Sequence, residues 1–334
     1  MKNTIRLILC FLLIATLTSC GTVKESTSSF EAMDTVMTLK VYGDDKACGR
    51  IEDRARDLDL LLSPTDEDSD IFRLNESGTA TLGADALMLI ERSLSLADEL
   101  KNYFDPTVYP AVCEWGFISG DYKIPDDDRL AELASHIDSS AVAVDGDTVT
   151  LPQGAAIDLG AVAKGYLADE CRQILEDSSA TGAVLNLGGT ILLYGEKPDH
   201  SAFKVGVADP ENPAGYFGYL SCGEGVIATS GGYERYFEED GKRYIHILDP
   251  VTAKPVDNGV LSVTVYSDDG VLSDALSTAL FVMGADKAAD LYRDRGGFEY
   301  ILLTDDGTLY VSEGISNDFT TADGYDFDLI EVEK

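Results

Sequence analysis

The chain has 334 residues, of which 45% are hydrophobic and 25% charged, with 60 Asp and Glu against 25 Lys and Arg. The formal net charge of -35 argues against nucleic acid and against broad contact with an anionic membrane surface. It also means that a phosphate-bearing ligand has to be drawn in by a local cation or a metal.

Lys2 and Arg6 precede an apolar run from Leu7 to Leu17, and Thr18-Ser19-Cys20-Gly21 follows. A short basic segment before an apolar run of this length reads as a secretory signal rather than a membrane span. Leu17-Thr18-Ser19-Cys20 resembles the bacterial lipobox. That resemblance implies cleavage before Cys20, lipid on its sulfur, and an extracytoplasmic protein anchored to the bacterial cell membrane. The expected division is a signal over residues 1–19, a lipidated flexible tether over 20–29 and a catalytic domain over 30–334. Losing Lys2 and Arg6 with the signal takes the net charge from -35 to -37. Cys48, Cys113, Cys171 and Cys222 are far apart, without a CxxC or a zinc-type pairing with histidine, and read as isolated core thiols, with a disulfide as the alternative in an exported protein.

Phe30 to Tyr42 reads as an opening strand, with Met33-Asp34-Thr35 near its start. Cys48 to Leu62 has helical spacing of apolar positions, which Ser63-Pro64-Thr65 breaks. Asp66 to Asp70 reads as an acidic loop before Ile71 to Asn75, and Ala84 to Lys101 as a second amphipathic helix. Tyr103-Phe104-Asp105-Pro106-Thr107 ends it. Val108 to Phe117 and Pro125 to Ile137 read as short helices. Ala141 to Val144, Asp145-Gly146 and Thr148 to Leu151 carry a hairpin pattern. Ile157-Asp158 reads as a strand end, Gly160 as a close-approach turn, and Ala161 onward as a helix to about Leu175.

Ala183 to Tyr194 reads as a buried strand interrupted at Asn186-Leu187-Gly188-Gly189. Phe203 to Ala208, Tyr216 to Cys222, Val226 to Ser230, Leu261 to Tyr266, Tyr300 to Thr304 and Thr308 to Val311 are further strands. Tyr233 to Phe237 and Arg243 to Leu248 form a hairpin. Asp274 to Met283, with Ser273 as its N-cap and Gly284 as its stop, and Lys287 to Asp294 are helices. Strands joined by hairpins with helices between them indicate an α+β fold with mixed or antiparallel sheets and flanking helices. With no linker after residue 30, the expectation is one compact, two-lobed domain.

Several stretches could carry chemistry. The turn at Asp158-Leu159-Gly160-Ala161 opens a helix whose N-terminus favours phosphate, with Lys164 close by; a plain turn with a solvated lysine fits equally. Asp274 and Thr278 are four apart and share a helix face. A carboxylate and a hydroxyl there suit a hard cation such as Mg²⁺, and they also suit an ordinary capped helix. His246, one of three histidines, could be a general base or a structural strand residue. No GxGxxG, GxxxxGK[ST], GxSxG or HExxH is present, which sets aside nicotinamide Rossmann, P-loop and zincin chemistry.

Taken together, Asp158-Leu159-Gly160-Ala161-Val162-Ala163-Lys164-Gly165-Tyr166, Asn186-Leu187-Gly188-Gly189, Ser230-Gly231-Gly232-Tyr233-Glu234-Arg235, His246-Ile247-Leu248-Asp249-Pro250 and Asp274-Ala275-Leu276-Ser277-Thr278-Ala279 resemble the ApbE family, the FAD:protein FMN transferases. The resemblance implies a Mg²⁺-dependent enzyme that splits the pyrophosphate of FAD. FMN would pass to a threonine of an acceptor, either a subunit of a membrane redox complex or an exported FMN-binding domain, and AMP would leave. By the same resemblance Ala161, Asp274 and Thr278 hold the metal. Met33, Tyr103, Phe104, Asp105, Asp158 and Lys164 line the FAD site, and His246 is the base. The pattern departs at Thr65, where relatives carry an aromatic residue, at Gly232, and at Ala253, where a glycine is usual. The alternatives are a Mg²⁺-dependent FAD pyrophosphatase and a flavin-binding lipoprotein without catalysis.

Overall fold

The structure, a computed structural model, describes residues 23–212 and 214–334. The signal, Cys20 and the first residues of the expected tether lie outside them. Nine strands form the central sheet, and they cross it in chain order: Glu25–Ala32, Thr35–Tyr42, Gly182–Asn186, Thr190–Gly195, Gly225–Gly231, Val260–Ser267, Glu299–Thr304, Thr308–Ser312 and Asp328–Val332. Neighbours are antiparallel except the last pair. This is the α+β architecture that the hairpin-linked strands imply.

Strand period sorts the core into two layers. Leu192, Val226, Val265 and Leu302 face a large helical core, while Leu193, Ile227, Ile301 and Leu303 face a second one. The first layer is covered by helices Ala47–Leu62, Ala163–Glu176 and Gly270–Met283. A three-stranded sheet of Phe203–Ala208, Tyr216–Cys222 and Phe319–Thr321 covers the second. Helix Gly270–Met283 is buried on nearly every side, its apolar residues interrupted by Ser273, Asp274, Ser277 and Thr278. A third, smaller core around Trp115, Phe117, Leu130 and Leu133 carries the hairpin Tyr236–Glu239 and Lys242–Ile245 on its flank.

Several expectations are corrected. Phe30 to Tyr42 is a hairpin, not one strand: Met33 and Asp34 turn it with φ of 51° and 56°. Glu25–Ser29, expected in the tether, pairs along Ser29↔Thr38 to Glu25↔Tyr42 as an edge strand. Ile71 to Asn75 belongs to helix Asp70–Ser77, capped by Ser69, whose hydroxyl accepts from the Phe72 N–H at 2.8 Å. The segment before Asp158 is not a strand, and helix Gly270–Met283 starts a turn earlier than expected with Asp269 as its N-cap. Strands Phe319–Thr321 and Asp328–Val332 were not anticipated. Ala183 to Tyr194 resolves into two paired strands around a Gly188-Gly189 turn. Cys48, Cys113, Cys171 and Cys222 are free thiols as expected, but Cys113 is exposed rather than in the core. Among the described residues no helix is long and apolar enough to cross a membrane.

Candidate active site

Helices Ala163–Glu176 and Gly270–Met283 cross with their backbones in contact. A Cβ on Gly165 would overlap the Gly270 carbonyl, and one on Gly270 would overlap that of Gly165. Only glycine at both positions permits the approach. The crossing lets each helix cap the other. Asp169 accepts from the Gly270 N–H at 2.9 Å and the Val271 N–H at 3.1 Å. Asp274 in return accepts from the Gly165 N–H at 2.9 Å and from the Thr190 hydroxyl at 3.4 Å.

This exchange has a consequence for Ala161. In a regular helix the Gly165 amide would donate to the Ala161 carbonyl four residues back. The carbonyls of Leu159 and Val162 receive their amides, from Ala163 at 2.9 Å and Tyr166 at 2.9 Å, whereas that of Gly165 is diverted to Asp274. The Ala161 oxygen is thereby left without its helical donor at the wall of a cleft. Thr278, one turn beyond Asp274, lies 3.2 Å from the Ser230 hydroxyl, which in turn meets Ser277 at 2.8 Å.

A cleft of about 480 Å³ opens over this floor, within the usual range for small-molecule sites. Met33, Tyr103, Phe104, Asp105, Asp158, Ala161, Lys164, His246, Asp274 and Thr278 all line it, so every candidate chosen from sequence within the described residues meets in one place. They do not meet it alike. Phe104 is buried in the main core, and Tyr103 has the Lys287 ammonium 5.0 Å above its ring. The Asp105 carboxylate is occupied: it accepts from the Thr107 N–H at 2.8 Å, the Thr107 hydroxyl at 2.6 Å and the Ser139 N–H at 3.0 Å. It therefore shapes the loop that forms the wall. Asp158 accepts from the Gly160 N–H at 2.7 Å, and its own N–H donates to the Pro106 carbonyl at 2.8 Å. Desolvation by the surrounding walls pushes its carboxyl up, opposed by the Gly160 N–H and by Arg235 and Lys164.

His246 follows the hairpin strand Lys242–Ile245. Its N–H donates to the Arg235 carbonyl at 3.0 Å, and Nδ1 lies 3.1 Å from the same oxygen. A carbonyl only accepts, so Nδ1 carries the hydrogen and Nε2 keeps its lone pair. Burial, then the positive charges of Arg235 and Lys164, lower its pKa to about 4. Phe117 meets the ring edge-on at 6.4 Å, at the end of an aromatic column in which Trp115, Tyr244, Phe237 and Tyr122 stack in turn.

Glu234 and Arg235, which have no role in the family resemblance above, also line the cleft. Their signal was the Tyr-Glu-Arg run directly after Gly231-Gly232. Burial raises the Glu234 carboxyl and Asp274 adds to the rise, while Lys164 opposes it. Thr65, the departure from the aromatic pattern, also lines the cleft. Ala253 explains another departure: it is fully buried with φ of 55°, a left-handed conformation in which glycine is the unstrained choice.

Residues 33–302 match the model of the ApbE family. The chain belongs to the ApbE family. Among its relatives is a Treponema pallidum protein named FAD:protein FMN transferase, 35% identical over 77% of this chain and 76% of its own length. A Klebsiella pneumoniae protein of the same name is 31% identical over 84% and 89%. The ApbE protein of Thermotoga maritima superposes with a TM-score of 0.81 at 31% identity, covering 87% of this chain and 98% of that one. Pseudomonas stutzeri flavinyl transferase ApbE gives 0.76 at 25% identity, covering 84% and 92%.

The oxygens at the cleft floor suit a hard cation. They are one buried carboxylate, one carbonyl released from its helical bond and one hydroxyl, with neither sulfur nor imidazole among them. Among the described residues no cluster of three or more His, Cys, Asp or Glu offers a competing metal site.

Proposed function

We propose that this chain is a FAD:protein FMN transferase that moves FMN from FAD to a threonine of an exported acceptor and releases AMP. The observation that supports this most is the diverted Gly165 amide. It leaves the Ala161 carbonyl open beside Asp274 and Thr278, on a cleft that also carries Lys164 and His246. Held by those three oxygens, Mg²⁺ would neutralise charge on the diphosphate of FAD.

The chain's own groups supply the remaining steps. Met33 and Tyr103 offer apolar and aromatic surface to the rings, with Phe104 fixed behind them. Lys164, at the start of its helix, adds positive charge where the phosphates lie. His246 stays neutral at neutral pH, and its Nε2 takes the proton of the threonine hydroxyl. That oxygen bonds to the phosphorus on the FMN side. The bond from this phosphorus to the bridging oxygen breaks, and AMP leaves with the bridge.

The test is incubation with FAD, Mg²⁺ and an acceptor carrying a Ser/Asp-Gly-Ala-Thr-like segment, read as flavin fluorescence on the denatured acceptor. Bound flavin that disappears when the acceptor threonine becomes valine supports transfer. Free FMN and AMP without bound flavin would instead identify a pyrophosphatase, and FAD binding without AMP a flavin carrier. We further propose that Cys20 carries lipid and holds the enzyme on the outer side of the cell membrane. Flavin labelling of an exported acceptor should then be lost from the membrane fraction in Cys20→Ser.

A further inference from the structure

Arg235 carries no role in that reading, although the charge balance of the cleft singles it out. Among the described residues lining the cleft the acids are Asp34, Asp59, Asp105, Asp158, Glu234 and Asp274, and the cations are Lys164 and Arg235, His246 being neutral. A diphosphate entering so acidic a space needs cations close to it.

The residue is held at one end and loose at the other. Its carbonyl accepts both bonds from His246, at 3.0 and 3.1 Å, which fixes its backbone beside the base. Its guanidinium meets Asp34 at 3.5 Å, with the two side chains 49% and 87% exposed. An ion pair that open to water holds weakly. Asp34 cannot follow the arginine inward. It sits in the tight Met33-Asp34 turn, with φ of 56°, and the next residue, Thr35, packs against Gly188. A phosphate, by contrast, offers the guanidinium paired, charge-assisted hydrogen bonds in a drier setting.

We propose that Arg235 is a mobile phosphate ligand, resting against Asp34 at the cleft mouth and swinging from there onto the diphosphate when FAD enters. The proposal rests on the reading of this cleft as a FAD site. The arginine's main chain keeps His246 in place throughout, so only the guanidinium travels.

FAD binding, followed by flavin fluorescence in EDTA without acceptor, tests this with Arg235→Gln, Asp34→Asn and the double variant. Asparagine tolerates the left-handed turn, so Asp34→Asn preserves the hairpin. Melting midpoints check that each variant is folded. Arg235→Gln should weaken FAD binding by about tenfold or more, the scale of a lost charged hydrogen bond. Asp34→Asn should tighten it by about two- to fivefold, the scale of a released exposed ion pair. The double variant should match Arg235→Gln alone, because freeing an absent arginine gains nothing. The proposal is overturned by unchanged binding in folded Arg235→Gln. It is equally overturned by weaker binding in Asp34→Asn, or by a gain from Asp34→Asn that persists without Arg235. A wild-type protein that binds no FAD either in EDTA or in Mg²⁺ would instead sink the underlying FAD-site reading.

Discussion

At the cleft floor, where helices Ala163–Glu176 and Gly270–Met283 cross, Asp169 and Asp274 each answer an amide of the opposite helix. At the mouth, Arg235 meets Asp34 across an exposed 3.5 Å bridge, and the hairpin Tyr236–Ile245 leans on stacked rings whose last member, Tyr122, is 45% exposed. Backbone contact and charge-assisted hydrogen bonds to main-chain amides give the floor one geometry. The rim is held by interactions each worth about 1.5 kcal/mol or less. The proposed metal and phosphate contacts call for the first kind of construction, and the proposed substrate entry for the second.

Gly270→Ala puts the largest strain on this contrast. The new methyl cannot fit against the Gly165 carbonyl, so unfolding in denaturant should show a loss on the order of 3 kcal/mol or more. A loss under about 1 kcal/mol would mean that the crossing yields like the rim. Asp274→Asn keeps the shape and an oxygen for the Gly165 N–H but removes the charge. Flavin transfer should fall by about a hundredfold or more with the melting midpoint little changed, as expected for a metal ligand. Equal activity would remove the floor from the chemistry.

His246 links the two regions, and its pH behaviour sharpens the comparison. In the free enzyme its pKa is lowered to about 4, so kcat/KM should hold through pH 6 and fall only as the pH drops through about 4. A bound diphosphate adds negative charge beside the ring and favours the protonated form. The acid limb of kcat should therefore lie at higher pH than that of kcat/KM. An acid limb of kcat/KM near the ordinary histidine value of about 6.5 would contradict the desolvated setting. The smallest effect belongs to the rim itself. Tyr236→Ser, at a position 40% exposed whose ring lies 4.2 Å from the Arg243 guanidinium, should change unfolding stability by no more than about 1 kcal/mol.

Much of this was legible in the chain. The four-residue spacing of Asp274 and Thr278 placed both oxygens on one helix face, and the alternation of the later strands marked the sheet. Why Ala161 should offer its carbonyl was not legible, because the cause is an amide drawn away by a residue 109 positions later. The Met33-Asp34 turn was hidden because neither residue is a glycine and the flanking alternation runs straight through it. Helix Asp70–Ser77 was concealed by the acidic run before it, although Ser69 is a regular cap. Asp328–Val332 buries only Val332, so its periodicity carried almost no signal. Asp105 shows the converse: the resemblance brought it to the site, and only the structure shows its carboxylate committed to Thr107 and Ser139.

The most direct test of the proposed chemistry is to count products in one reaction containing FAD, Mg²⁺ and a threonine-bearing acceptor. Equal amounts of AMP and acceptor-bound flavin are expected from the wild-type protein, and neither above background from Asp274→Asn. AMP without bound flavin, or bound flavin formed undiminished by Asp274→Asn, would contradict it.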